Sequence, residues 1–209
     1  MIALFLSAFV TFLVVIDPPG CAPIFAGLTR DATSAERRSM AIRASLVAAG
    51  ILLFFGLLGE DLLKALGISL AAFRIAGGIM LFLIALEMVF EKRTQRRENR
   101  AQEVEADPEH DDVSVFPMAI PMIAGPGSIA SIMLLMARSD GLDESLVVLA
   151  ALAAVLLLTL FSLLAAGWLM RLLGHKMEAM LTRILGVILA ALAAQFVIDG
   201  ISVSFQINV

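Results

Sequence analysis

Two short runs hold the residues whose types and spacing could do chemistry. Asp17 opens DPPGCAP (17–23), and AIPMIAGPGS (119–128) brings a second cluster of prolines and glycines. Pro18 and Pro19 remove two adjacent backbone donors and Gly20 can take a positive φ, so a regular helix cannot continue there. Pro121, Gly125, Pro126 and Gly127 interrupt the second run in the same way. A cut helix offers N–H groups and the positive end of its dipole on one face, and carbonyls on the other. The pieces starting near Cys21 and Ser128 would supply donors, and the pieces ending near Ile16 and Ala124 acceptors. A small zwitterion suits such a centre, its carboxylate on the N–H groups and its ammonium on the carbonyls and Asp17. Small residues at the breaks leave space for it. The candidate substrate-binding residues are Asp17, Pro19, Gly20, Cys21, Gly125, Pro126, Gly127 and Ser128. Two blander readings stay open: a proline kink that only shapes packing, and Asp17 as a helix N-cap accepting from the Gly20 N–H.

Little else in the chain could do chemistry. Cys21 is the only cysteine, and His110 and His175 are the only histidines, far apart in apparent loops. Neither a disulfide nor a zinc site follows from that inventory. No HExxH, no serine with a histidine at helical spacing and no paired catalytic aspartates occur, so no enzyme and no cofactor are expected. The net charge of −4 gives no reason to expect nucleic acid.

The elements that must position the two runs follow from composition. Of 209 residues, 60% are hydrophobic and 16% charged, and mean hydropathy is +0.97. A soluble fold of this size could not cover so much apolar surface, whereas a bilayer can. Spanning hydrocarbon takes about 20 apolar residues in a helix. Six segments qualify: 2–28, 40–59, 66–90, 114–137, 145–170 and 179–201. The first has no Lys or Arg before residue 30, so it is expected as a retained span and not a cleaved signal. At 1.5 Å per residue, Asp17 lies about 22 Å and Gly127 about 20 Å into their helices, near the middle of the membrane. EKRTQRRENRAQEVEADPEHDD (91–112) is expected as a solvated, largely disordered connector, with His110 a solvated loop residue.

The connections between spans 1–2, 3–4 and 5–6 carry 12 of the Lys and Arg residues, and the opposite side carries Lys64, Arg74 and Arg138. By the positive-inside rule both termini face out of the cytoplasm. The halves also resemble each other. Pro19-Gly20 matches Pro126-Gly127, and RIAGGIMLFLIA (74–85) lies on RILGVILAALAA (183–194) with six identities. Three spans per unit is an odd number, so the second unit enters from the other side, as in the inverted repeats of many secondary transporters. The expected fold is an all-α membrane protein of six transmembrane helices in two inverted three-helix repeats, helices 1 and 4 broken at the midplane. Its divisions are 1–90, a charged cytoplasmic loop 91–113, and 114–209. Arg74, Glu87, Arg183 and Asp199 stand at span ends as gate partners or interface anchors.

DPPGCAPIFAGLT (17–29) and FPMAIPMIAGPGSI (116–129), in the first and fourth of six spans, resemble the MarC family of bacterial inner-membrane proteins. The length and the charged central loop also fit. Cys21 stands where that family usually has a polar residue, often Asn. The resemblance implies a MarC/SnatA-like secondary transporter of small neutral amino acids with discontinuous first and fourth helices. The alternatives weighed against it are a non-transporting membrane scaffold and an intramembrane enzyme. Expected partners are the lipid bilayer and a small zwitterionic solute, with self-association open. The coupling ion is open between a proton and sodium.

Overall fold

The computed structural model describes residues 1–105 and 112–205; His110 lies outside them. The described residues are all helix, turn and connection. Five helices are long and apolar enough to cross a bilayer, or six when a pair bent by 53° counts as one span.

Helices α1 (Ile2–Ile16) and α2 (Pro18–Leu28) are separated by Asp17 alone, which adopts the left-handed conformation at φ 60°. The interruption is thus one residue long. Pro18 and Pro19 do not lie in a gap but form the first turn of α2, where a missing N–H costs nothing. Gly20 was the expected carrier of the positive φ; Asp17 carries it instead, and its short polar side chain tolerates that region.

Helix α3 (Ser34–Ala65) starts at a reciprocal capping box: the Glu36 N–H donates to the Thr33 hydroxyl, and the Thr33 N–H donates to the Glu36 carboxylate. After a turn at Gly67 (φ 69°), Ser69 caps α4 (Leu70–Val89) by accepting from the Ala72 N–H. The bent span consists of Ser114–Ile123, wound but with Phe116 and Ile120 extended, followed by α6 (Pro126–Met136). Helix α7 (Leu142–Leu164) follows the Gly141 turn. Helix α8 (Ala166–Phe205) is continuous, so α7 and α8 meet at Ala165 and the expected loop around His175 is helical backbone.

The central connector is the main correction. Residues Lys92–Glu105 form α5. The segment is rich in good helix formers and has no Gly or Pro before Pro108, so propensity favours a helix once something holds it. Helix α5 packs on α2, on α4 and on Ser114–Ile123, and what holds it there are arginines.

The helices pack through small residues. A Cβ on Gly56 or Gly59 of α3 would lie 2.8 Å from Ile132 or 2.7 Å from Met133 of α6. Helices α4 and α8 run antiparallel in close contact. A Cβ on Gly78 would lie 2.9 Å from the Ala193 carbonyl, and one on Gly200 would lie 3.0 Å from the Ala71 carbonyl. Close backbone approach of this kind replaces the hydrophobic driving force that lipid cannot supply. Leu46, Phe54, Leu57, Phe161 and Val187 stand exposed on the outer faces, the reverse of a water-soluble surface.

Candidate functional site

The prolines of both breaks act on the carbonyls four residues before them. In a helix the carbonyl of residue i accepts from the N–H of i+4. Pro19 and Pro126 have no N–H, so the Val15 and Met122 carbonyls lose their helical partners. Both are taken by arginines of α5. The Arg93 guanidinium donates to the Val15 carbonyl at 2.6 Å. Arg97 donates to the Met122 carbonyl at 3.4 Å and to the Ile16 carbonyl at 3.5 Å. Arg93 and Arg97 are one helical turn apart, so one face of α5 reaches both breaks.

Asp17 sits between them. One carboxylate oxygen accepts from the Gly20 N–H at 3.2 Å, capping α2, and the other pairs with Arg97 at 3.2 Å. This pair is almost out of solvent, with side-chain exposures of 10% for Arg97 and 3% for Asp17. Arg93 is buried as well. It has no carboxylate partner among the described residues; its remaining contact is the Met88 sulfur. Burial, and after it the neighbouring Arg97 charge, holds Arg93 down to about 9, so it stays a cation at neutral pH.

A cavity of about 270 Å³ opens beside this cluster. Gly125, Pro126, Gly127 and Ser128 line one side, Val15, Ile84, Pro121 and Met122 form further walls, and Arg93, Arg96 and Arg97 face it from α5. The first intrahelical bond of α6 is made by the Ile129 N–H to the Gly125 carbonyl at 3.0 Å, so the Gly127 and Ser128 N–H groups precede it and stand unpaired within the helix. The Gly127 position is tight: a Cβ there would lie 2.7 Å from Ile84 and 3.1 Å from Val15. One on Gly20 would lie 2.2 Å from the Asp17 carboxylate.

The candidate residues therefore divide. Gly125, Pro126, Gly127 and Ser128 line the cavity. Asp17, Pro19, Gly20 and Cys21 lie behind it, with Cys21 buried and its thiol 3.5 Å from the Ile16 carbonyl. None of the four span-end residues lines the cavity, though Glu87 holds an arginine that does. Glu87 pairs with Arg96, Arg183 with Glu91 and Asp199 with Arg138, while Arg74 donates to the Ala137 carbonyl at 3.4 Å. Arg93 and Arg97 were missed by the sequence reading. The available signal was their i, i+4 spacing together with two carbonyls that proline had left without donors.

Comparison with known proteins gives a consistent result. A family model described as MarC family integral membrane protein matches residues 2–205. A UPF0056 membrane protein of Methanocaldococcus jannaschii is 39% identical over 197 residues, 94% of this chain and 95% of that one. The UPF0056 membrane protein YvbG of Bacillus subtilis is 33% identical over 207 residues, covering 99% and 98%. YhcE of Escherichia coli, also named a UPF0056 membrane protein, is 33% identical over 193 residues, covering 92% and 89%. No solved structure matches the chain.

Proposed function

The chain belongs to the MarC family of integral membrane proteins, and on that premise we propose that it is a secondary transporter moving small neutral amino acids, by export or exchange, through alternating access. The observation that carries this reading is the cavity at the helix interruptions, which Gly127 and Ser128 at the start of α6 line together with Arg93, Arg96 and Arg97 of α5. Irregular backbone at membrane depth is tolerated where it is packed in protein or lines a wet cavity. Here it does both.

Two features support an inverted repeat with both breaks at the midplane. Val15 and Met122 sit equally far before Pro19 and Pro126, and one helix binds both carbonyls. The third spans of the two units, α4 and α8, lie antiparallel side by side, as a two-fold axis in the membrane plane requires. On the loop charges, the protein sits in the cytoplasmic membrane of a bacterium with both termini outside, and α5 dips from the cytoplasmic side to reach the breaks. It works as a transporter without catalytic groups or a resident cofactor, coupled to a proton or to sodium.

The test is counterflow of labelled glycine, alanine and serine in proteoliposomes. The wild-type protein exchanges at least one of them. Gly127→Val, which drives a β-branched side chain into the cavity wall, inserts normally and exchanges none. Counterflow at the wild-type rate in Gly127→Val would remove the cavity from the transport path.

A further inference from the structure

The charges around the cavity do not cancel. Arg96 is matched by Glu87 at 2.6 Å and lies toward solvent. Arg97 is matched by Asp17. Arg93 has only a carbonyl and a sulfur, and it is the most completely buried of the three arginines. Among the described residues the cluster thus carries one net positive charge, away from water, facing an open volume. A buried charge without a counter-charge is costly, and part of that cost is recovered when an anion arrives. The N–H groups of Gly127 and Ser128, without a partner among the described residues, bring the same sign of potential to the same cavity.

The acceptors are engaged in the opposite sense. Asp17 and the Val15, Ile16 and Met122 carbonyls, which would suit an ammonium, already hold guanidinium groups. A cationic end of a solute would reach those acceptors only against the charge of the guanidinium groups already on them; a carboxylate meets no such repulsion. The volume, about 270 Å³, lies just under the usual ~300–1,000 Å³ of small-molecule pockets.

We propose that the cavity is a monocarboxylate site in which the carboxylate of a small solute binds Arg93 and the first N–H groups of α6, and that the solute's amino group is dispensable. This rests on the transport reading of the same cavity and names its substrate class: small carboxylates, with or without an amino group. The guanidinium suits the task because its planar fork can meet a carboxylate with two parallel bonds while another N–H keeps the carbonyl.

Thermal stability of the purified full-length protein in detergent, titrated with three probes of similar size, tests it, because a ligand that binds only the folded state raises Tm. Alanine and propionate raise Tm at similar concentrations. Alaninamide, which keeps the amine and loses the carboxylate, needs at least tenfold more. In Arg93→Gln the shifts with alanine and propionate disappear; if that variant does not fold, the wild-type comparison of the three probes decides alone. Alaninamide acting as well as alanine, propionate failing where alanine succeeds, or no shift with any probe overturns the proposal. Each of those results leaves counterflow to be scored separately. Carboxylate-dependent shifts without counterflow would overturn transport and keep the site.

Discussion

Asp17 holds together three things that a sequence reader would treat separately. Its backbone makes the left-handed step between α1 and α2, one oxygen caps α2, and the other neutralises Arg97. Asp17→Asn separates them. Asn tolerates the same backbone region and caps about as well, so the step and the cap survive, while Arg97 loses its counter-charge in a buried setting. Breaking a buried pair from one side costs about 3–5 kcal/mol, so a large drop in Tm is expected in detergent. Asp17→Ala also loses the cap, worth ~1 kcal/mol more. A wild-type Tm for Asp17→Asn would mean that the ion pair adds nothing. The orphaned carbonyls of Val15 and Met122 were legible from the sequence, because the proline rule is local. Their partners were not, since Arg93 lies far along the chain from Val15 and nothing local links them.

At the scale of elements, the packing of α4 on α8 depends on the absence of side chains at a few places. A Cβ on Gly186 would sit 2.8 Å from the Met88 Cβ and 3.1 Å from the Ala85 carbonyl, neither of which can rotate away. Gly186→Val is therefore expected to push the helices apart and to cost ~1–3 kcal/mol. Gly50→Ala in α3 is the control: nothing lies within 4 Å of its Cβ, and helix propensity alone makes it neutral or stabilising by up to ~1 kcal/mol. Thermal melts of the two variants check the contrast, and equal effects would refute it. The apolar spans were legible because length and hydropathy fix them. Helix α5 was hidden because its charge suggested solvent, whereas its buried face is stabilised by carbonyls on other helices. The end of α7 was misplaced because the apolar run continues past Leu164 into α8, and hydropathy carries no mark of the turn at Ala165.

For the whole molecule, exposed leucines and phenylalanines form the outside and the charged groups gather at the ends and at the cavity. Orientation is then a matter of loop charge. Reporter fusions after residue 105 and after the C-terminus are expected to give opposite compartments, the first cytoplasmic. A shared compartment would overturn the topology and the inverted repeat with it. The two proline–glycine runs themselves were legible, Pro19-Gly20 in one and Pro126-Gly127 in the other. How closely they approach was not, since it depends on the packing of all the spans.

Between the last residue of α4, Val89, and the first of α5, Lys92, stand only Phe90 and Glu91, the latter held at φ 61°. The three Cα–Cα steps from Val89 to Lys92 reach about 10–11 Å at full stretch, and at this corner they are not stretched. The arginines that close one side of the cavity are thus on a very short tether. A larger excursion must either unwind the start of α5 or drag α4 along, and α4 is wedged glycine-tight against α8. The cover has no slack of its own, so emptying the cavity toward that side is a movement of the helix pair.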